Sequence, residues 1–189
     1  MDSKLQIISG RFRGYKLNLP SNARPTQNRA RLAIFNMLNV FLNPADKIIV
    51  WDAFGGSGAM GLEILSRYDN STVVFTDISD VAIKTITKNV SGTRISPNRY
   101  KIENENAVQK TKKYGPTANL IFVDPPYDNP DTGISFVRKL ANSVAVDTIV
   151  VQEVEALVAY SPDTKFWNVL RDKTYGRARF LILQRKSDK

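Results

Sequence analysis

The run Asp124-Pro125-Pro126-Tyr127 holds the residue types best suited to chemistry in this 189-residue sequence. It follows the apolar run ANLIFV, so it stands at the end of a predicted strand. Two prolines end strand pairing and keep the backbone extended, which frees the carbonyls of Asp124 and Pro125 to face a cleft. The Asp124 carboxylate and the Pro125 carbonyl could then accept both N–H groups of the exocyclic amine of a nucleobase, while the Tyr127 ring stacks on that nucleobase.

Such an amine is a poor nucleophile because its lone pair is delocalised into the ring of the base. Two acceptors that hold its N–H groups draw the nitrogen towards a tetrahedral shape and aim the lone pair at an electrophile. The chain contains no histidine and no cysteine, which excludes the commonest general base and any thiolate metal site. Catalysis would therefore depend on the orientation of the amine and on a cofactor that is already reactive. No metal site is predicted.

The glycine turn Gly55–Gly61 contains the spacing G-x-G-x-x-G from Gly56 onwards. Alone, that spacing fits a dinucleotide site or a tight structural turn, and the absence of a following Gly-Lys-Ser/Thr excludes a P-loop. Asp52 precedes the turn at a strand end, where a dinucleotide would place its pyrophosphate. A carboxylate there would repel that dianion but would suit an α-amino group.

Asp77 ends the next apolar run, 19 residues beyond Gly58, where an acid can hydrogen-bond ribose hydroxyls. The alternative role for Asp77 is to cap the following helix, which Ser79 or Asp80 could do instead. An adenosine ligand with an amino-acid tail and no phosphate fits this set, and that ligand is S-adenosylmethionine.

The pattern from Lys47 onwards predicts the elements that position these residues. Short apolar runs alternate with helical segments, which is typical of βαβ units in an open α/β sheet. The last run, KFWNVLRDKTYGRARFLILQRK, instead predicts an antiparallel hairpin that turns at Tyr175-Gly176. Before the sheet, residues 5–19 predict two short strands around a turn, and a helix is predicted from Pro25 and Thr26.

Positive charge is concentrated at both ends of the chain. The net charge is +9, and residues 1–36 carry seven Lys or Arg against one acid, while residues 165–189 carry eight against two. Residues 37–164 have more acidic than basic side chains. Aromatic residues lie among the terminal charges: Phe12, Tyr15, Trp167, Tyr175 and Phe180. This distribution indicates that the ends face a polyanion such as RNA.

In these motifs the sequence resembles the Class I S-adenosylmethionine-dependent amino-methyltransferases, which share the motif D/N-P-P-Y/F/W. More narrowly, it resembles the RsmD family of small-subunit ribosomal RNA guanine-N2 methyltransferases. The resemblance covers nearly the whole chain and is carried by IISGRFRGYKLNLP, RPTQNRARLAIFNML, DAFGGSGAMGLEILSR, NLIFVDPPY and TYGRARFLIL. It implies a Rossmann-like, mostly parallel seven-stranded sheet with an antiparallel C-terminal hairpin and a short N-terminal hairpin and helix extension.

The resemblance also implies a role for each matching position. The S-adenosylmethionine site would comprise Asp52, Phe54, Gly56, Ser57, Gly58, Asp77, Ile78, Asn106 and Ala107. The methyl-acceptor site would comprise Asp124, Pro125, Pro126 and Tyr127. RNA phosphates would be bound by Arg11, Arg13, Arg24, Arg29 and Arg31. The chain departs from the family pattern at Asp77, where Glu is frequent, at Gly55, where Ala is usual, and at Asn106, where Asp is common.

The resulting hypothesis is a cytoplasmic, monomeric enzyme that methylates N2 of a guanine in 16S rRNA or an assembling small ribosomal subunit, without a membrane partner. Residues 1–44 would contact the RNA, and residues 45–189 would form the methyltransferase domain. Alternatives are an amino-methyltransferase acting on adenine N6 or cytosine N4 of DNA or another RNA, a protein glutamine methyltransferase, an NAD enzyme, and an RNA-binding module without activity.

Overall fold

The apolar runs form a seven-stranded sheet in the computed structural model, which describes residues 5–21, 28–125 and 130–187. The strands are β1 (Ile48–Asp52), β2 (Ser71–Asp77), β3 (Tyr100–Asn104), β4 (Leu120–Val123), β5 (Ile149–Glu155), β6 (Trp167–Tyr175) and β7 (Ala178–Arg185). Their order across the sheet is β3-β2-β1-β4-β5-β7-β6. The first five strands are mutually parallel, and β7 is antiparallel to both of its neighbours. The predicted fold class and the C-terminal hairpin are thus confirmed.

Helices cover both faces of this sheet. They are α1 (Asn28–Leu38), α2 (Ala59–Arg67), α3 (Asp80–Ser91), α4 (Thr111–Tyr114) and α5 (Pro130–Leu140), with short 3-10 helices at Pro97–Arg99 and Ala107–Gln109. One core lies under α1, α2 and α3, and the other lies under α4 and α5, where Trp51 contacts Tyr114 and Phe136. Within the described ranges, no helix is long and apolar enough to cross a membrane.

The N-terminal segment forms less strand than its sequence predicts. A single antiparallel bridge joins Gln6 and Lys16, and the Ile7 amide donates to the Tyr15 carbonyl at 3.0 Å. Between these residues, the Gly14 amide donates to the Ile7 carbonyl at 2.8 Å, but the amides of Ile8 and Ser9 bond to a side chain of the main body rather than to the opposite strand. The proposed helix start at Pro25 and Thr26 lies outside the described residues, and the helix is described from Asn28.

That side chain is the fully buried carboxylate of Glu63 on α2. Glu63 accepts the amides of Ile8 and Ser9 at 2.7 and 2.9 Å, and it accepts a third bond from Arg67 Nε at 2.7 Å. The Arg67 guanidinium in turn lies 4.7 Å from the centre of the Phe35 ring on α1. A buried carboxylate is tolerated only when it is paired and hydrogen-bonded, so these contacts hold the N-terminal segment, α1 and α2 together.

We therefore expect Glu63→Ala to lower the free energy of unfolding by about 3–5 kcal/mol, because it leaves two amides and a guanidinium without their acceptor. Glu103→Ala is the matched control, since Glu103 pairs with the exposed Lys101 and should cost less than about 1 kcal/mol. Urea unfolding followed by circular dichroism measures both values. Equal midpoints for the two variants would contradict the role given to Glu63.

Candidate active site

A cavity of about 1300 Å³ opens at the carboxyl edge of the sheet. The order of the strands reverses between β1 and β4, and ligands of open α/β sheets bind at such a reversal. The cavity wall combines the ends of β1, β2, β4 and β5 with the glycine turn, the start of α1 and the turn of the C-terminal hairpin. Segments far apart in the sequence therefore meet at one site.

The glycine turn is held in a shape that requires glycine at two positions. Gly56 and Gly58 have φ angles of +55° and +76°, a region that side chains rarely adopt. The Gly58 amide donates to the Gly55 carbonyl at 2.6 Å, and Gly55 donates to the Thr76 carbonyl at 2.9 Å. At Gly61 a Cβ atom would lie 2.3 Å from the Phe75 ring, so the third glycine allows α2 to pack directly on β2.

Two carboxylates hold the turn from either side. Asp52 Oδ2 accepts the Gly61 amide at 3.0 Å, and Asp77 Oδ2 accepts the Gly56 amide at 2.9 Å. The other Asp77 oxygen accepts the Ser79 amide, also at 2.9 Å. The helix α3 is capped by the hydroxyl of Ser79 and not by Asp77, which excludes the alternative role considered for Asp77.

Asp52 is a strongly perturbed acid. Its side chain is buried at the end of β1, and burial raises its pKa to about 7. The hydrogen bond from Gly61 opposes this rise, and the negative charge of Asp77 adds to it. A cation placed in the cavity beside Asp52 would restore its ionised form, because opposite charge favours ionisation of a carboxyl group.

A second end of the cavity lies beyond β2 and β3. Ile78, Asn106, Ala107 and Val108 line it, and Ile78 is 71% exposed. The Asn106 side-chain oxygen accepts the Val108 amide at 3.0 Å and so starts the 3-10 helix at Ala107. This wall can cover a flat apolar group and offers backbone polar groups at its edge.

The opposite wall contains Asp124 and Pro125, which follow β4. Pro125 is buried against α5, where a Cβ atom on Gly133 would lie 2.8 Å from the proline ring. This close approach fixes the backbone of the strand end. Pro126 and Tyr127 lie outside the described residues.

The structure therefore brings together most of the residues predicted for the cofactor. Eight of the nine line the cavity: Asp52, Phe54, Gly56, Ser57, Asp77, Ile78, Asn106 and Ala107. Gly58 does not, because it faces the core, where a Cβ atom would touch Ile86 and Phe75 at 3.4 Å. Gly58 serves the turn itself, as the left-handed residue that precedes α2.

Comparisons with known proteins agree with this geometry. The family model described as Conserved hypothetical protein 95, which represents the RsmD family, matches residues 5–184. The chain belongs to the RsmD family of methyltransferases. It is 31% identical over 191 residues to Ribosomal RNA small subunit methyltransferase D of Escherichia coli K12, with 97% of this chain and 91% of that relative covered.

Solved structures show the same fold. The structure of yhhF from Escherichia coli superposes with a TM-score of 0.81 at 27% identity, over 97% of this chain and 99% of that one. Trm1 from Pyrococcus horikoshii, solved with S-adenosyl-L-methionine, gives a TM-score of 0.67 over 90% of this chain and 59% of its own. At 14% identity that second likeness is one of fold.

The departures from the RsmD pattern have local explanations. The short side chain of Asp77 reaches the amides of Gly56 and Ser79. An alanine at position 55 would bring its Cβ atom within 2.8 Å of Ile86 Cδ1, which is the flexible end of a side chain and can shift. The Asn106 oxygen caps a turn, which an aspartate oxygen does equally well. None of the three alters the cavity wall formed by Asp124 and Pro125.

The sequence-based prediction of the site missed several cavity residues, among them Glu153 and Tyr175. Glu153 on β5 is 7% exposed, and Tyr175 lies at the turn of the C-terminal hairpin beside Phe180, with ring centres 6.2 Å apart. Glu153 carries the same signal as Asp52, an acid near the carboxyl end of an apolar run. Tyr175 carries no such signal, because only the fold brings the hairpin turn to the cavity.

The structure corrects one member of the predicted RNA-binding set. Arg11, Arg13 and Arg29 are exposed, and Arg29 also lines the cavity, whereas Arg24 lies outside the described residues. Arg31 borders the cavity as well but exposes none of its surface, so it does not present a surface contact for phosphate. It sits on the apolar face of α1, donates to the Gln6 carbonyl, and has its pKa lowered by burial to about 10. The charge of Glu63 opposes that shift.

We expect Arg31→Ala to reduce the free energy of unfolding by about 3 kcal/mol, because it removes a buried cation that attracts Glu63 and bonds the N-terminal segment. Arg29→Ala, two residues away on the same helix, should change it by less than about 0.5 kcal/mol. Denaturant titration of both variants provides the comparison. An unchanged midpoint for Arg31→Ala would show that Arg31 has no structural role.

Proposed function

We propose that this chain transfers a methyl group from S-adenosylmethionine to the exocyclic N2 of a guanine in 16S rRNA of the small ribosomal subunit. The observation that carries the proposal is the single cavity in which the glycine turn, Asp52 and Asp77 stand opposite Asp124 and Pro125. One part of this cavity would bind a nucleoside that carries an amino acid, and the part beside it would bind the amine of a nucleobase.

The residues present fit S-adenosylmethionine better than a dinucleotide. The turn places backbone at the cavity wall without intervening side chains at Gly55 and Gly56. Asp52 would hold the α-amino group of the methionine part, and Asp77 would hold the ribose. Asn106 and Ala107 would border the adenine. Acids at both ends of the turn disfavour a pyrophosphate, since like charges in a buried site repel strongly.

Once bound, S-adenosylmethionine supplies a methyl group activated by a positively charged sulfur. The protein's own contribution is to orient the acceptor. The Asp124 carboxylate and the Pro125 carbonyl would each accept one N–H of the guanine amine, which directs the nitrogen lone pair into the cavity. The nitrogen must release a proton as its new bond to carbon forms, and the Asp124 carboxylate would accept it. Pro126 and Tyr127 would complete this wall, with Tyr127 stacked on the base.

The RNA substrate is supported by the relative from Escherichia coli, whose name specifies the small-subunit ribosomal RNA. It is supported also by the charge of the N-terminal segment, where Arg11, Arg13 and Arg29 are exposed. We propose that residues 1–44 contact rRNA phosphates, that residues 45–189 carry the methyltransferase, and that the enzyme acts as a cytoplasmic monomer. The 16S rRNA, free or in an assembling subunit, would be the partner.

The decisive variant is Asp124→Ala. It should lower the rate of methyl transfer at least about 100-fold while the affinity for S-adenosylhomocysteine stays within about twofold, because it removes an acceptor for the amine and leaves the glycine turn intact. The assay follows labelled methyl groups into small subunits or 16S rRNA from cells that lack this protein, and mapping then locates the modified base. Asp69→Ala, an exposed acid remote from the cavity, is the control.

Three outcomes would contradict the proposal. Methylation of duplex DNA without methylation of rRNA would make the chain a DNA amino-methyltransferase. Transfer to adenine N6 or cytosine N4 of RNA would show that guanine N2 is not the atom that accepts the methyl group. RNA binding without any transfer would leave a binding module with a methyltransferase fold.

The raised pKa of Asp52 makes a separate prediction for cofactor binding. Below pH 7 the ligand-free carboxyl is largely protonated, and it must ionise to pair with an α-ammonium group. The affinity for S-adenosylhomocysteine should therefore fall by up to about tenfold for each pH unit below about 7 and level off above it. Calorimetric titration between about pH 5 and 8 measures this. Asp52→Asn should bind weakly with no such slope, and an identical slope in that variant would assign the titration to another group.

A further inference from the structure

Two acids on neighbouring strands face the same cavity. In the parallel pairing of β4 and β5, Phe122 lies opposite Val151 and Val123 lies opposite Gln152. The next step of that register brings Asp124 beside Glu153, and both line the cavity. Phe122 and Val151 share one core, and side chains in a strand alternate between faces, so Asp124 and Glu153 point to the same side of the sheet.

The sheet holds Glu153 firmly. Its strand is bonded to β4 on one side and to β7 on the other, where Glu153 lies opposite Phe180. The residue is 7% exposed, and it sits in the middle of the sheet rather than on a loop. Groups mounted on such rigid elements discriminate between ligands well, because they cannot move to accommodate the wrong one.

Guanine presents two adjacent kinds of donor on its Watson–Crick edge, the N1–H and the N2 amine. A carboxylate accepts hydrogen bonds and donates none when it is ionised. We propose that Glu153 accepts the N1–H of the target guanine, beside the Asp124 that holds its N2 amine, and that Glu153 thereby makes the enzyme specific for guanine. This inference rests on the proposed function and adds a specificity-determining residue to it.

The same carboxylate rejects the other amine-bearing bases. Adenine N1 and cytosine N3, which neighbour the amine in those bases, carry a lone pair and no proton. Placing that lone pair against the carboxylate of Glu153, which is 7% exposed, is repulsive. A well-made pair of hydrogen bonds to a base discriminates by about tenfold to a hundredfold, which is the preference that Glu153 should supply.

The test uses 2-aminopurine, which keeps the amine at C2 but has an unprotonated N1. After the modified guanine has been mapped, ligated rRNA is prepared with guanine or 2-aminopurine at that position. Kinetics with excess S-adenosylmethionine give kcat/KM for each substrate. The wild-type enzyme should prefer guanine by at least about tenfold, on the scale of one good base contact. Glu153→Gln should reduce that preference about tenfold, because the amide can donate to N1 of 2-aminopurine.

Glu155→Gln is the matched control. It is the same substitution two residues further along β5, at a carboxylate that pairs with Arg177 at 2.7 Å and does not line the cavity. It should leave the ratio of the two kcat/KM values unchanged. Thermal unfolding and S-adenosylhomocysteine affinity of Glu153→Gln verify that the variant is folded. A purely structural role for Glu153 would lower both rates by the same factor.

Two results would overturn the inference. One is a folded Glu153→Gln enzyme with the wild-type ratio. The other is a wild-type enzyme with the same kcat/KM for 2-aminopurine and for guanine, a measurement that requires no variant. Failure of the proposed function is distinct from both, since the wild-type enzyme would then methylate no guanine in 16S rRNA.

Discussion

The buried carboxylate of Glu63 is the contact on which the arrangement of the site depends. It accepts the amides of residues 8–9 and so holds the N-terminal segment on α2, the helix that follows the glycine turn. A second link runs through the buried Asn89 of α3, which bonds the backbone of Asn18 at 2.8 and 3.0 Å and the carbonyl of Ser57 at 2.8 Å. The segment proposed to contact RNA and the turn proposed to hold the cofactor are therefore held by the same side chains, Glu63 and Asn89. A displacement of one would displace the other.

Three acids of the site could be found from sequence because each ends an apolar run. Asp52 and Asp77 end β1 and β2, Asp124 follows β4, and the carboxyl ends of parallel strands meet at one edge of a sheet. Glu153 ends a similar run, yet its place beside Asp124 depends on β4 and β5 being neighbours, which local patterns do not specify. The strand order is a property of the whole chain, and so is the approach of Tyr175 to the cavity from the C-terminal hairpin.

The burial of Arg31 could have been predicted from the sequence, whereas the contact of the N-terminal hairpin with Glu63 could not. Arg31 stands three, four and seven residues before Ile34, Phe35 and Leu38, which is the spacing of one helix face, and all three are fully buried. Its charge suggested a surface position, but its place in the helical period indicated the core. The N-terminal segment pairs across its turn as predicted, at Gln6 and Lys16. Its strands are short because the amides of residues 8–9 bond to a carboxylate 54 and 55 residues away, Glu63, and no short-range pattern reports such a partner.

Under the proposed function, the distribution of charge around the cavity would separate the phosphates of a nucleotide from its base. An exposed arginine, Arg29, lies at the wall near the start of α1, while the carboxylates of Asp52, Asp124 and Glu153 lie at the strand ends. A polyanion is attracted to the basic side, but its phosphates are repelled by the acids further in. A neutral base that presents N–H donors meets no such repulsion, and it enters the acidic part only if it is withdrawn from its stack. The same argument applies to the glycine turn. Its spacing is compatible with a phosphate, but the carboxylates of Asp52 and Asp77 beside it favour an amine.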